Sequence, residues 1–151
     1  MMSGKKILIA DYDKDSLESL SELFSTQGLE VIPASDGQAA YDLYKSKAPD
    51  VILIEAMLPK IHGFDLTKII HDETEGALPV IILTGLYKGS QYRNEALRFF
   101  GAVDYFEKPY DKKKLMDSVL YYIRDEQDLD VILPSPEKVI NMLKKHLDEP
   151  S

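Results

Sequence analysis

The sequence has no cysteine, only three histidines and no excess of positive charge, and each absence excludes a class of function. Without cysteine the chain cannot contain disulfides, thiolate metal sites or a cysteine nucleophile. The histidines, His62, His71 and His146, are scattered and match no metal-binding spacing. The formal net charge of −8 argues against nucleic acid as the main partner.

Long hydrophobic runs are also missing. No apolar segment approaches the roughly 20 residues that cross a membrane. The start, MMSGKK, leads directly into a strand-like run and lacks the pattern of a signal peptide. We therefore expect a cytoplasmic protein with no membrane partner. With 151 residues, 44% hydrophobic and 29% charged, the chain is typical of one soluble domain with a modest appendage.

Short apolar runs and amphipathic segments alternate five times along the first four fifths of the chain. The runs are rich in β-branched residues and end at turn signals, as in strands buried on both faces. The segments between them repeat apolar residues at helical spacing. This alternation predicts a parallel sheet with helices on both faces. Strands are expected at 5–10, 29–34, 51–55, 79–84 and 102–106, with helices at about 14–27, after 36, from 64, at 90–100 and after 111.

The pattern changes after the fifth helix. Residues 125–134 resemble a polar linker, and Ser135 with Pro136 marks a helix start. We therefore predict a domain over 1–124, followed over 125–151 by a linker and a C-terminal amphipathic helix. Its apolar stripe comprises Val139, Ile140, Leu143 and Leu147.

One acid, Glu55, ends the central apolar run. A carboxylate at the carboxyl end of a buried parallel strand points into the crevice where open α/β sheets bind ligands. Asp11 and Asp13 follow the first predicted strand in the same way. Thr84 ends the fourth, and Lys108 follows the fifth. Since these strand ends share one edge of the sheet, acids, a hydroxyl and an ammonium converge there, as in phosphoryl-transfer sites.

Four stretches carry a family resemblance: ILIADYDKDS, VILIEAMLPKIHGFD, VIILTG and GAVDYFEKPY. In this order and spacing they resemble the response-regulator receiver domains of two-component signalling, over roughly residues 5–124. The resemblance implies a flavodoxin-like (βα)5 fold, a three-layer sandwich around a parallel five-stranded sheet of order 2-1-3-4-5, here with an extra C-terminal helix. It also implies a signalling module rather than an enzyme.

The resemblance assigns roles to single positions. Asp11 matches the first of two adjacent acids in the family, and Tyr12 stands where the second, a Mg²⁺ ligand, is expected. Glu55 occupies the position of the phosphoacceptor aspartate, and Met57 that of a backbone carbonyl ligand to the metal. The other matches are Thr84 as switch hydroxyl, Tyr105 as switch aromatic, Lys108 as phosphate-binding lysine and Pro109 as the cis-proline after it.

Two of these positions depart from the family pattern. The phenol of Tyr12 is a poor ligand for a hard cation, which prefers carboxylate oxygens. Glu55 is one methylene longer than aspartate, and a displacement of about 1 Å can cost on the order of 10²-fold in rate. The longer carboxylate reaches instead toward Lys108 and Thr84, where it would form a charge-assisted hydrogen bond without metal.

The central hypothesis is a divergent receiver in which Glu55 is a fixed anion that replaces the phosphoryl group, so that the module works without phosphorylation. The alternative is a working receiver, phosphorylated by a histidine kinase on Glu55 or Asp13 with loosely bound Mg²⁺. No cofactor is expected; any Mg²⁺ would bind weakly through Asp11, Asp13 and Met57. A flavodoxin-type FMN protein shares the topology, but the acidic loop ADYDKD would repel its phosphate.

Simpler structural roles are open for the same residues. Glu55 and Lys108 could form a purely structural ion pair. Asp11 could accept hydrogen bonds from loop amides and bind no metal. Asp13 is more typical of a helix N-cap than of a metal ligand. Thr84 could be only a strand-end residue, and Tyr105 a core or surface residue, with neither acting as a switch group.

The resemblance also indicates a protein partner. Receivers commonly exchange signals through the fourth helix, fifth strand and fifth helix. We expect a histidine kinase, an output domain or a second copy of the chain to bind there, rather than nucleic acid. Aromatic residues, which are enriched in protein interfaces, are frequent in this region: Tyr92, Phe99, Phe100, Phe106 and Tyr110.

Overall fold

A computed structural model describes residues 4–124 as a single sheet covered by helices. All four pairs of neighbouring strands are parallel, in the spatial order 2-1-3-4-5, which confirms the predicted flavodoxin-like topology. The strands are Lys6–Ala10 (β1), Glu30–Ala34 (β2), Val51–Ile54 (β3), Val80–Thr84 (β4) and Asp104–Glu107 (β5).

Strand composition follows position in the sheet. β3 and β4, which have a neighbour on each side, are buried along their whole length, and β1 is buried after its first residue. These strands lie under helices on both faces and therefore read as continuous apolar runs. β2 is an edge strand with a mixed burial pattern, and it contains Pro33, which an edge strand tolerates because one side needs no ladder hydrogen bond.

The helices begin close to the predicted positions because aspartates cap three of them. The carboxylates of Asp13, Asp36 and Asp111 accept hydrogen bonds from backbone N–H groups of the first turns. The helices are Lys14–Ser25 (α1), Gly37–Lys47 (α2), Gly63–Thr74 (α3), Ser90–Glu95 (α4) and Lys112–Ile123 (α5); α4 continues as a π-helical segment over Ala96–Phe100.

Two layers of apolar side chains cover the sheet. On one face α1 and α5 pack against the central strands, and the inward positions predicted for α5 are confirmed, since all three are buried. On the other face lie α2, α3 and α4. The first layer includes Leu20, Phe24, Leu115, Val119 and Ile123; the second includes Ala40, Tyr44, Leu66, Ile70 and Ala96.

Differences from the predicted bounds lie at element ends. α1 stops at Ser25, earlier than expected, because the chain turns there and the N–H of Gly28 donates to the Ser25 carbonyl at 3.0 Å. β5 begins later than expected because Ala102 still belongs to the preceding turn, its N–H donating to the Ala96 carbonyl at 2.9 Å. The predicted linker and C-terminal helix lie outside the described residues. Within residues 4–124 no helix has the length and apolarity to cross a membrane.

Candidate functional site

Three charged groups meet at the carboxyl edge of the sheet. The Lys108 ammonium Nζ lies 3.0 Å from Glu55 Oε2 and 2.8 Å from Asp11 Oδ2. Asp11 is 1% exposed and Glu55 4% exposed, while the lysine side chain is partly exposed. With all three ionised, the cluster carries one net negative charge, and the ammonium is shared between two carboxylates.

Glu55 is held by the backbone around it. Its own N–H donates to the Ala10 carbonyl at 2.8 Å, which continues the pairing of β3 with β1 by one residue. Its second carboxylate oxygen, Oε1, accepts the backbone N–H of Met57 at 3.3 Å. Behind it α3 begins at Gly63, where an added Cβ would lie 2.4 Å from the Glu55 carbonyl oxygen. The acid therefore has a fixed backbone and two hydrogen-bond partners.

Asp11 is equally engaged. Its Oδ1 accepts the backbone N–H of Asp13 at 2.9 Å. Its Oδ2 accepts the hydroxyl of Ser16 at 2.6 Å as well as the Lys108 ammonium. Both oxygens of the carboxylate are thus in use within the protein.

Lys108 is placed by the strand that precedes it. Its backbone N–H donates to the Thr84 carbonyl at 2.8 Å, next to the β4–β5 pairing, and the Lys108–Pro109 peptide is cis, as predicted. Burial by itself lowers the pKa of Lys108, but the hydrogen bonds and charges of Asp11 and Glu55 outweigh it and raise the pKa above its ordinary value. The lysine is therefore a stable cation at neutral pH.

The predicted switch residues meet on one loop, residues 85–89. The Thr84 hydroxyl oxygen accepts the backbone N–H groups of Leu86 and Tyr87, each at 3.2 Å. Tyr105 is buried, and its hydroxyl donates to the Tyr87 carbonyl. Burial raises the pKa of Tyr105, and the charges of Glu107 and Glu55 raise it further, so the phenol keeps its proton.

One expected contact is not formed. Glu55 reaches Lys108 but does not hydrogen-bond Thr84, whose hydroxyl faces the loop instead. The reason is geometric: the second oxygen of Glu55 turns to the Met57 N–H, two residues on. The predicted contact of Glu55 with Thr84 is therefore wrong, whereas the predicted contact of Glu55 with Lys108 is present.

The other candidate metal residues lie around this cluster. Tyr12 is 56% exposed, so its phenol is directed to solvent. Asp13 caps α1 through Oδ1, which accepts the N–H groups of Asp15 and Ser16 at 3.0 and 3.3 Å. The side chain of Met57 is exposed. Ligand roles for Asp13 and for the Met57 carbonyl stay predictions.

The groups at this edge do not match a magnesium site. Mg²⁺ requires nearly octahedral oxygen ligands at about 2.0–2.1 Å. Here both oxygens of Asp11 already accept hydrogen bonds, Tyr12 supplies no carboxylate, and an ammonium lies against both buried acids. Among residues 4–124 no group of three or more acidic, histidine or cysteine side chains is arranged to hold a metal ion. The cation that balances the two acids is Lys108.

Three contacts around the site were not predicted from the sequence. Ser16 holds Asp11, and its position on the first turn of a helix after the strand end was an available signal. Tyr87 accepts the Tyr105 hydroxyl through its carbonyl, and His62 lies with Nε2 3.3 Å from the Tyr87 hydroxyl oxygen. Both lie in loops, where sequence periodicity gives no information on contacts.

Comparison with known proteins agrees with this fold. A model of the response regulator receiver domain matches residues 7–120. Escherichia coli transcriptional regulatory protein CpxR is 34% identical over 119 residues, 79% of this chain and 49% of that protein. The Francisella response regulator 1452 receiver domain has 32% identity and a TM-score of 0.74, covering 80% of this chain and 97% of that one. A chain of the CheX–CheY–BeF3–Mg²⁺ complex from Borrelia burgdorferi has 25% identity and a TM-score of 0.73, covering 82% of this chain and 92% of that one.

The family match covers most of the chain and all five strands. The chain spans about half the length of CpxR and of the other transcriptional regulators that it matches. The chain belongs to the response regulator receiver domain family.

Proposed function

We propose that this receiver domain is a signalling and protein-interaction module that works without phosphorylation. Glu55 would supply permanently the negative charge that a phosphoryl group supplies in other receivers. The observation that supports the proposal is the ion pair of buried Glu55 with Lys108, at 3.0 Å, between the two residues that the family resemblance assigns as acceptor and phosphate-binding lysine.

The pair opposes phosphoryl transfer in two ways. A phosphoryl donor would have to approach Glu55, yet this side chain is buried and both of its oxygens have hydrogen-bond partners. Attack would also require Lys108 to leave the carboxylate, and a charge-assisted hydrogen bond between buried groups is worth about twice a neutral one. The acceptor carboxylate is therefore buried and already engaged by Lys108.

A fixed switch follows from the same contacts. The backbone N–H of Lys108 donates to the Thr84 carbonyl, and the Thr84 hydroxyl oxygen accepts the N–H groups of Leu86 and Tyr87. Tyr105 donates to the carbonyl of that loop. With a permanent anion at Glu55, we expect these groups to keep one arrangement at neutral pH, which a partner would recognise without phosphorylation.

The partner surface we propose is formed by α4, β5 and α5. A groove of about 710 Å³ runs between the two helices along the edge strand. Within it Arg93 donates to the Tyr105 carbonyl at 2.8 Å and lies 3.6 Å from Asp104. Tyr92 of α4 and Phe99 of the π-helical segment that follows it are also exposed. A histidine kinase, an output domain or a second copy of the chain would bind through this mixed aromatic and charged surface.

The test is exposure of the chain to acetyl phosphate, or to beryllofluoride, with Mg²⁺. Intact mass and backbone amide NMR shifts are the readouts, and a receiver with an aspartate acceptor serves as positive control. We expect no added phosphoryl mass and no beryllofluoride-induced shift at Glu55, Thr84 or Lys108. A stoichiometric phosphoadduct on Glu55 or Asp13 would establish the alternative, a working phosphoacceptor fed by a histidine kinase.

A further inference from the structure

A histidine and a tyrosine join two loops beside the charged cluster. His62 is the N-cap of α3, and its Nδ1 accepts the backbone N–H of Phe64 at 3.2 Å. Since Nδ1 accepts, the proton of the neutral ring is on Nε2. Nε2 lies 3.3 Å from the Tyr87 hydroxyl oxygen and therefore donates to it, while that hydroxyl is directed at Met57 Sδ, 4.0 Å away.

Tyr87 connects this histidine to the switch residues. Its backbone N–H donates to the Thr84 hydroxyl oxygen, and its carbonyl accepts the Tyr105 hydroxyl. Its ring also contacts His62 and Phe64, each with centroids 5.5 Å apart. Tyr87 therefore contacts one residue from each of three elements: His62 at the start of α3, Thr84 at the end of β4 and Tyr105 on β5.

We propose that His62 and Tyr87 form a pH-sensitive latch, in which the neutral imidazole fastens the loop of residues 85–89 to α3 and thereby holds Tyr105 inward. Imidazole side chains change charge between about pH 5 and 8. A proton on Nδ1 would place two N–H donors against each other at the Phe64 amide. The charged ring would also face the positive end of the α3 dipole.

The result of protonation is release of the latch. The ring must leave the Phe64 N–H, and the bond from Nε2 to the Tyr87 hydroxyl is lost as the ring turns. The Tyr87 carbonyl then no longer has a fixed position, and Tyr105 loses its acceptor. Burial and the charges of Glu107 and Glu55 raise the pKa of Tyr105, so its hydroxyl remains a donor throughout this pH range.

The charged groups around His62 come from several elements. Asp65 lies in the same first turn of α3 and is exposed. Lys60, on the preceding loop, is 3.5 Å from Asp36 at the start of α2 and is largely neutralised by it. Exposed Lys88 follows Tyr87 in the opposing loop. The ring of Tyr92, on α4, lies 5.3 Å from the Tyr87 ring, centroid to centroid.

The experiment is an NMR titration of the full chain from about pH 8 to about pH 5. We expect the Phe64 and Tyr87 amides and the Tyr105 ring resonances to titrate together with the His62 imidazole. The Phe64 amide should lose roughly fivefold in hydrogen-exchange protection, the effect of one N-cap bond. His62→Asn should abolish all of these changes, because asparagine caps helices without titrating.

Two further variants make the test specific. His71→Asn, in the last turn of α3, should leave the coupled titration intact. Tyr87→Phe should keep the titration of the Phe64 amide and remove that of Tyr105, because only the hydroxyl link is cut. Titration of Tyr105 that persists in His62→Asn, or a His62 titration that never reaches Tyr87, would overturn the latch. No step involves Glu55, so a phosphoadduct on Glu55 would leave this inference standing.

Discussion

At the scale of single residues, the charge of the site is decided by Lys108. Two buried carboxylates 2.8 and 3.0 Å from one ammonium would repel each other without it. Removing one partner of a buried ion pair costs about 3–5 kcal/mol, because the remaining charge is left without compensation. The lysine is therefore a structural requirement of the site whether or not a phosphoryl group is ever present.

The raised pKa of Lys108 gives a pH prediction. Its folded pKa lies above the ordinary 10.5, so the pair contributes stability at neutral pH that is lost as pH rises through the raised value. Glu55→Gln should lower the lysine pKa and cost about 1–3 kcal/mol of unfolding free energy at pH 7, and less in strong alkali. Urea unfolding against pH measures this. Glu18→Gln, at an exposed carboxylate of α1, is the matched control and should have little effect.

The two departures from the family pattern give a second prediction. Tyr12→Asp with Glu55→Asp restores the acid pair and the shorter acceptor. We expect the double variant to become labelled by acetyl phosphate in a Mg²⁺-dependent way, at least about 10²-fold faster than the natural chain. Intact mass against time is the measurement, with Tyr12→Asp alone as control. A double variant that stays unlabelled would show that further residues prevent transfer.

At the scale of elements, the junction between β3 and α3 positions the acid. Gly63 begins α3 directly over the Glu55 carbonyl, and an added Cβ would also lie 2.6 Å from Ala56 Cα. Gly63→Ala should therefore destabilise the fold by about 1–3 kcal/mol, as overpacking does. Gly85→Ala is the control, since its nearest neighbour would be a lysine carbon at 3.6 Å. Equal unfolding free energies for the two variants would contradict this account of the junction.

The elements also show how far the sequence could predict the structure. Strands were predictable because β1, β3 and β4 are covered on both faces and so consist of uninterrupted apolar runs. Asp11, Glu55 and Lys108 follow β1, β3 and β5, and because the carboxyl ends of parallel strands share one edge, the sequence predicts that these three residues lie close together. Which oxygen meets which donor was not predictable. The turn of Glu55 Oε1 to the Met57 N–H depends on loop geometry, for which no periodic signal exists.

At the scale of the whole molecule, two consecutive aromatic residues, Phe99 and Phe100, have opposite environments, one at the surface and one against the core. Phe100 stacks on Phe64 with ring centroids 5.1 Å apart, whereas Phe99 is 66% exposed. Phe100→Ser should cost about 2–4 kcal/mol of unfolding free energy, and Phe99→Ser less than about 0.5. Urea unfolding of both variants tests this. A comparable loss of unfolding free energy in both variants would exclude Phe99 as a surface residue. If the surface of α4, β5 and α5 binds a partner, Phe99→Ser should weaken that binding without loss of stability.

The molecule as a whole carries a net charge of −8, and within residues 4–124 two buried acids, Asp11 and Glu55, share one lysine as their counter-ion. The most direct measurement of this claim follows the Lys108 ammonium by NMR while Mg²⁺ is added to millimolar concentration. We predict a slowly exchanging ammonium signal, coupled to Glu55 and unchanged by the metal. A saturable shift of that signal with Mg²⁺, or a signal that exchanges as fast as an exposed lysine, would contradict the account.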